Sequence, residues 1–218
     1  MNVRWSGDTL LLVEFEPVID PTVNQRVIDL AARLQSRAGH AVRDIVPGYC
    51  SLGVHLDPLQ TDIGALERIV REEASLLQDR EEQAQHSILE IAVRYGGNDG
   101  PDLAAVAAWA QCTADEVVNR HCSRTYRVYM LGFVPGFAFM GRVDRSIAAP
   151  RHRVPRERVP AGSVGIAGEQ TGVYPIATPG GWQLIGRTDT VMFDSARARP
   201  SLLLPGDLVR FVPDRTPQ

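Results

Sequence analysis

The residues of this sequence best suited to chemistry are a histidine and an arginine in its second half. His121 is predicted to end a short helix, where it could exchange a proton or donate a hydrogen bond to a carbonyl group. A structural histidine, stabilised by the helix dipole, is the alternative. Arg187 follows an apolar run, and a buried arginine requires a carboxylate or an anionic ligand as its partner. A structural ion pair is equally compatible with that position.

Glycine-rich turns provide a second set of candidates. Thr178-Pro-Gly-Gly-Trp182 is predicted to form a turn in which two glycines let backbone amides approach a ligand. A tight hairpin with Trp182 in the core is the alternative. Arg156 belongs to a cluster of arginines that is either solvated or in contact with an anion. Ser163 lies in Gly-Ser-Val-Gly, which lacks the Gly-x-Ser-x-Gly pattern of a nucleophilic serine.

The absence of lysine excludes several kinds of catalysis. All 23 basic residues are arginine, so this sequence has no Schiff-base lysine, phosphate-loop lysine or biotinyl-lysine. The fingerprints Gly-x-Gly-x-x-Gly and Gly-x-x-x-x-Gly-Lys-[Ser/Thr] are also absent. Arginines, backbone amides or another protein chain must therefore handle the phosphates in any nucleotide chemistry.

The composition is that of an ordinary globular protein, with 44% hydrophobic residues, 22% charged residues and a net charge of −3. This charge gives no reason to expect a nucleic acid or an anionic membrane as a partner. Three cysteines without Cys-x-x-Cys spacing argue against a disulfide framework, and the histidine spacing argues against a metal site. The first residues lack an apolar signal core, and no stretch approaches membrane-spanning length, so a cytoplasmic location is expected.

The first part of the chain is predicted to alternate strands and helices. Short apolar runs indicate the strands, and a helical apolar period with a start signal at Asp20-Pro21 indicates the first helix. The strands are predicted over residues 9–16, 41–46, 50–56 and 87–95, with one helix over 20–39 and another that begins at 61 or 62. The order β-α-β-β-α-β is that of a ferredoxin-like unit, although the last strand could belong to the next domain. We therefore predict an α+β protein with domains at 1–86 and 87–218.

The second domain is predicted to be mainly β-structure. Its opening carries a helix over residues 102–111 and a capping box, Thr113-Ala-Asp-Glu116, which begins another short helix. Residues 131–218 then hold 21 of the 34 glycines and prolines, with short apolar runs between the turns. This pattern is typical of a β-barrel or a β-sandwich.

Nine blocks of residues keep a fixed order along the chain, and their combination is far more specific than any one of them. The blocks are His121 to Tyr126, Gly132-Phe-Val-Pro-Gly-Phe137, Pro150-Arg151, Pro155-Arg156, Val159-Pro-Ala-Gly-Ser-Val-Gly165, Tyr174-Pro175, Thr178-Pro-Gly-Gly-Trp182, Gly186-Arg-Thr188 and Leu204-Pro-Gly-Asp-Leu-Val-Arg-Phe211. Together they resemble the family of 5-oxoprolinase B subunits, also labelled allophanate hydrolase subunit 1, which includes a sporulation-kinase inhibitor. The resemblance spans essentially the whole chain and is strongest over residues 121–211.

The resemblance implies a ferredoxin-like first domain, a cyclophilin-like β-barrel and an enzyme built from several chains. The family complex cleaves 5-oxo-L-proline to L-glutamate at the expense of ATP, and its B subunit forms a tight heteromer with the C subunit, alongside the A subunit. ATP would be used by the complex, since this chain carries no nucleotide motif, and the chain alone is expected to be inactive. An inhibitor of a sensor histidine kinase, or a carboxyltransferase-like component of urea or allophanate metabolism, shares the same motifs.

The motif positions imply a pocket for a small-molecule substrate. His121 and Arg187 are the candidates for catalysis, and no metal is implied. The candidates for substrate binding are Arg156, Ser163, Thr178, Gly180, Gly181 and Trp182.

Overall fold

The structure, a computed structural model, describes residues 1–37, 42–77 and 88–214. The chain divides into two compact units, Met1–Gln85 and His86–Gln218. The boundary predicted after residue 86, and the predicted end of the first helix at Gly39, lie outside the described residues. Among the described residues, no helix is both long enough and apolar enough to cross a membrane.

The first unit is a four-stranded antiparallel sheet with two helices. Its elements are β1 (Asn2–Trp5), β2 (Leu10–Glu14), α1 (Pro21–Arg37), β3 (Asp44–Pro47), β4 (Ser51–His55) and α2 (Ile63–Ser75). The strand order in the sheet is β1-β2-β4-β3. Alternate residues of the central strands, such as Leu11 and Val54, are fully buried and share one hydrophobic cluster with Leu30 of α1 and Val70 of α2. This alternation is what a sheet with one buried face requires.

The predicted order β-α-β-β-α-β is not the observed one. The described part of the first unit has the order β-β-α-β-β-α, because it begins with a strand that we did not predict. That strand, β1, is only four residues long and buries one apolar side chain, Val3, so its sequence carries little periodicity. The strand predicted over residues 87–95 does not pair with this sheet. It pairs instead with strands of the second unit, at residues 186–187 and 208–213.

The second unit is built around a closed barrel of seven strands. Its elements are β5 (Ile88–Tyr95), α3 (Leu103–Trp109), α4 (Ala114–Cys122), β6 (Thr125–Leu131), β7 (Ala138–Gly141), a 3-10 turn (Arg145–Ile147), β8 (Arg156–Val159), β9 (Ser163–Ala167), β10 (Gln170–Val173), β11 (Thr178–Gly180), β12 (Gln183–Arg187) and β13 (Leu208–Pro213). The strands close in the order β10-β7-β6-β13-β5-β12-β9. The second unit, which was predicted to be either a barrel or a sandwich, is therefore a barrel.

The barrel strands are antiparallel to their neighbours except at β5 and β13, which run parallel. Their inward side chains, among them Ile91, Val128 and Ile166, form one buried cluster with residues of α3 and α4. The predicted start of α4 is confirmed, because the side chain of Thr113 accepts a hydrogen bond from the backbone N–H of Glu116. The Glu116 carboxylate accepts a hydrogen bond from Arg120. A separate ribbon of two strands, β8 and β11, lies outside the closed order.

Candidate functional site

The second unit contains a cavity of about 310 Å³ whose walls are mainly aromatic. The lining residues are Phe133, Phe137, Phe139, Arg151, Pro155, Tyr174, Pro179, Gly180, Gly181 and Trp182. They come from the turn between β6 and β7, from β7 itself, from the chain before β8, from the residue after β10, and from β11 and the stretch between β11 and β12. The cavity therefore depends on the barrel and on the outer ribbon together.

Phe137 is the centre of the aromatic wall. Its ring meets Phe139, Tyr174 and Trp182 edge to face, with centroid distances of 4.8, 5.2 and 5.3 Å. Edge-to-face contacts of this kind fix the relative orientation of the rings. Trp182 is 5% exposed and Tyr174 is 1% exposed. The rings therefore form one packed wall.

Phe133 forms the outer edge of this wall. It is 60% exposed, and its ring stands perpendicular to Phe137 and Tyr174 at 5.6 and 6.4 Å. Its φ of +68° lies in the left-handed region, which a bulky side chain rarely adopts. The tight turn forces this conformation, because the N–H of Val134 donates to the Gly132 carbonyl at 2.8 Å. Backbone strain of this type is frequently found at functional sites.

Gly180 and Gly181, which the sequence predicted to bind substrate, are among the lining residues of the cavity. A Cβ atom on Gly180 would lie 2.5 Å from the Tyr174 hydroxyl, so that position has no room for a side chain. The carbonyl of Gly181 accepts a hydrogen bond from the backbone N–H of His152 at 2.8 Å. This hydrogen bond holds the chain before β8 next to Gly181 in the lining of the cavity. Trp182, which the sequence also predicted to bind substrate, is mostly buried and lines the cavity.

Arg151 is the one charged side chain among the lining residues of the described chain. Its guanidinium carbon lies 5.7 Å from the centroid of the Trp182 ring, within the range of a cation–π contact. The residue is exposed, so the cation faces the mouth of the cavity.

Arg156 does not line the cavity but supports it. Its guanidinium donates to the Asp102 carboxylate at 2.6 Å, which also receives His152 Nε2 at 3.2 Å and the backbone N–H of Leu184 at 2.7 Å. Burial raises the pKa of Asp102, but these hydrogen bonds outweigh that effect and hold the pKa below its usual value. A single carboxylate thus links β8, β12 and the residues that precede β8.

His121 lies in the barrel core, with no exposed surface. The Thr171 hydroxyl donates to the Gly165 carbonyl at 3.0 Å, so its oxygen is left to accept from His121 Nε2–H at 2.9 Å. Nδ1 then accepts from the Tyr95 hydroxyl at 2.7 Å, and the Cys122 thiol donates to Tyr95 at 3.4 Å. The network therefore assigns a neutral imidazole with its proton on Nε2.

The surroundings of His121 are those of a structural residue. Its ring stacks on Phe211 with centroids 4.7 Å apart. Burial lowers its pKa to about 3, so it stays neutral near neutral pH. It does not line the cavity. The structure thus favours the structural alternative for His121 over a ligand contact.

The remaining predicted residues do not line the cavity. Arg187 is half-buried at the end of β12, and its Nε donates to the Ala161 carbonyl at 2.9 Å. Among the described residues it has no ion-pair partner, so the structural ion pair proposed as its alternative is not found there. Ser163 is buried at the start of β9. Thr178 pairs with Val159 across the outer ribbon.

Sequence reasoning did not single out the four other aromatic side chains of the cavity, Phe133, Phe137, Phe139 and Tyr174, or Arg151 as site residues, although all of them except Phe139 lie in the nine motif blocks. A signal was available for most of them, since aromatic residues alternate with glycine and proline over residues 132–139. The pattern marks a shaped loop, but it does not show which rings face one another.

Comparison with known proteins gives the family of the chain. The family model for the carboxyltransferase domain, subdomain C and D, matches residues 1–203. The B subunit of 5-oxoprolinase from Escherichia coli O157:H7 is 45% identical over 212 residues, which cover 96% of this chain and 94% of that protein. Urea amidolyase of Saccharomyces cerevisiae is more distant, at 24% identity, and this chain spans 13% of its length.

A solved structure shares the fold of this chain. The crystal structure of TTHA0988 is 38% identical and superposes with a TM-score of 0.85 over 99% of this chain, which spans 41% of TTHA0988. The chain therefore belongs to the class of carboxyltransferase domains, subdomains C and D. Within that class it is a member of the family of 5-oxoprolinase B subunits.

Proposed function

We propose that this chain is the B subunit of an ATP-dependent 5-oxoprolinase complex, which cleaves 5-oxo-L-proline to L-glutamate with hydrolysis of ATP. The observation that carries the proposal is the match to a 5-oxoprolinase B subunit over nearly the full length of both chains. Homologues of the C and A subunits are the proposed partners. The cytoplasm is the proposed compartment, and neither a nucleic acid nor a membrane is proposed as a partner.

The aromatic cavity supports a role in handling a small substrate. A lactam is a poor electrophile, and phosphorylation of its oxygen makes the ring carbon more reactive toward water. That chemistry needs hydrogen-bond donors for the oxygen and protection from bulk water. Buried rings such as Phe137 and Trp182 exclude water, and Gly180 lets the Tyr174 ring pack against the main chain in the lining.

ATP is proposed to bind mainly to another chain of the complex. This sequence has neither a lysine nor a phosphate-binding loop. The cavity also offers one cation, Arg151, for a ligand that carries several negative charges. The purified chain is therefore expected to have no oxoprolinase activity of its own.

We extend the proposal to the domains. In the first unit, β1 occupies the edge of the sheet beside β2, in the sheet order β1-β2-β4-β3. The proposal is a ferredoxin-like unit whose edge strand comes from the start of the chain. The proposal for the second unit, from about residue 87 onward, is a cyclophilin-like barrel.

Reconstitution tests the function. The tagged chain is co-expressed with the products of neighbouring genes that resemble the C and A subunits, and the purified mixture is assayed for glutamate from 5-oxo-L-proline with and without ATP. The expected result is a stable complex with the C subunit and turnover that needs all three chains. Turnover by this chain alone would contradict the proposal. Normal turnover by the other two chains without it would contradict the proposal as well.

A further inference from the structure

The guanidinium of Arg151 at the mouth of the cavity has no anionic partner in the described part of the chain. Its contact there is with the Trp182 ring, at 5.7 Å. Arg156, five residues later, differs because it is bound to Asp102 at 2.6 Å. The ion pair between Arg156 and Asp102 holds β8 in place. The guanidinium of Arg151, in contrast, remains available to bind an anion.

The charge of the cavity decides between two kinds of ligand. Aromatic cages often bind cations, because the faces of the rings carry negative potential. Here the guanidinium of Arg151 already lies against Trp182, and no carboxylate is among the described lining residues. A second cation would be repelled, whereas an anion would form a charge-assisted hydrogen bond.

The size and the polar atoms of the cavity narrow the ligand further. A volume of about 310 Å³ is at the lower end of the range for ligand sites, which suits a compact molecule. Tyr174 lines the cavity and carries a hydroxyl group, which can donate a hydrogen bond to an acceptor on a ligand. The remaining wall is apolar and fits a hydrocarbon ring.

We propose that this cavity recognises a compact monocarboxylate built on a small ring, whose carboxylate binds Arg151 and whose methylene groups pack against Phe137 and Trp182. The inference rests on the proposed function, because 5-oxo-L-proline is a five-membered ring with one carboxylate. It adds Arg151 as the residue that binds the carboxylate, whereas the arginines that the sequence put forward as site candidates were Arg156 and Arg187.

Binding to the full-length chain tests this inference. The chain is labelled with ¹⁵N, and the indole N–H signal of Trp182 is assigned by its loss in Trp182→Phe. Cyclopentanecarboxylate and 5-oxo-L-proline are titrated separately, and cyclopentanecarboxamide serves as the neutral probe. Arg151→Gln removes the charge, and Arg153→Gln is the matched control, because Arg153 is exposed on the same segment and does not line the cavity.

The expected result is a saturable shift of the Trp182 signal with both carboxylates. The amide should bind at least about tenfold more weakly, and Arg151→Gln should weaken carboxylate binding by a similar factor, since hydrogen bonds to charged groups have this strength. Arg153→Gln should change the affinity less than about twofold, as expected for a surface charge. The inference is overturned if neither carboxylate shifts the signal, if the amide binds equally well, or if Arg151→Gln has no effect. A proline dipeptide amide that binds more tightly than the carboxylates would also overturn it, in favour of a peptide site.

The probes separate this inference from the proposed function. Cyclopentanecarboxylate has no lactam and cannot be a substrate. If it binds as expected but the reconstituted complex releases no glutamate, the proposed function fails and the carboxylate site stands. If the complex is active but the carboxylates do not bind, the site assignment alone fails.

Discussion

The neutral buried imidazole of His121 makes a specific prediction about stability and pH. In the folded protein its pKa is lowered to about 3 by burial, whereas an unfolded chain has a histidine pKa of about 6.5. Protons therefore bind the unfolded state preferentially between these values. The stability contributed by the neutral histidine is fully present above about pH 6.5 and is lost as the pH falls toward about 3.

The magnitude follows from linkage. Between about pH 7 and pH 5 the preferential protonation of the unfolded chain lowers the free energy of unfolding by about 2 kcal/mol. His121→Gln cannot be protonated in this range, so the variant should lack this loss. It should be less stable than the wild type at pH 7, because it loses the stacking on Phe211 and a well-matched hydrogen-bond network. The difference between the two proteins should then shrink by about 2 kcal/mol at pH 5.

Urea unfolding at several pH values measures this effect. Both proteins carry Trp5→Phe, so that the fluorescence of Trp109 and Trp182 reports on the second unit alone. Every other titrating group is common to both proteins and cancels in the difference. Profiles that stay parallel from pH 7 to pH 5, within about 0.5 kcal/mol, would refute the assignment of a neutral buried histidine.

Three further substitutions test the geometry of the second unit. Gly162→Ala should lower the free energy of unfolding by more than about 2 kcal/mol, because the new methyl would lie 2.2 Å from a backbone oxygen at a φ of +81°. Gly168→Ala is its control, with a φ of +57° but open space, so it should cost only about 1 kcal/mol; equal losses in urea unfolding would contradict this. Asp102→Asn should cost about 2 kcal/mol by leaving a guanidinium without its counter-charge, and an unchanged urea midpoint would argue against the network. Gly180→Ala should displace the Tyr174 hydroxyl, which would lie 2.5 Å from the new carbon, and weaken carboxylate binding measured at Trp182; wild-type affinity would show that the carboxylate does not bind beside Gly180.

Local signals in the sequence predicted the helices well. Thr113 with Glu116 located the start of α4, and the helical apolar period of α1 is reproduced by the buried positions Val23, Val27, Leu30 and Leu34. These features depend on neighbours a few residues apart, so a single sequence can show them. The closed barrel was one of two predicted architectures, and the density of turns could not decide between them.

Long-range pairing was harder to predict. The strand at residues 88–95 pairs in parallel with 208–213, which lie more than a hundred residues later in the chain, and nothing local distinguishes this from a strand of the first unit. The cavity shows the same limit, because Phe137 meets Tyr174 and Trp182 only after β7, β10 and β12 come together. Arg151 and Arg156 occupy similar sequence surroundings, and only the position of Asp102 shows which of them is already paired.

The most direct test of the proposed function is the coupling of two products in the reconstituted complex. Glutamate formed from 5-oxo-L-proline and ADP formed from ATP are measured together, with this chain present and with it left out. We expect both products in equal amounts only when this chain and the C and A subunits are all present, and either product at background when the chain is omitted. Equal formation of glutamate and ADP without this chain would contradict the proposed function, and so would a complete mixture that hydrolyses ATP but releases no glutamate.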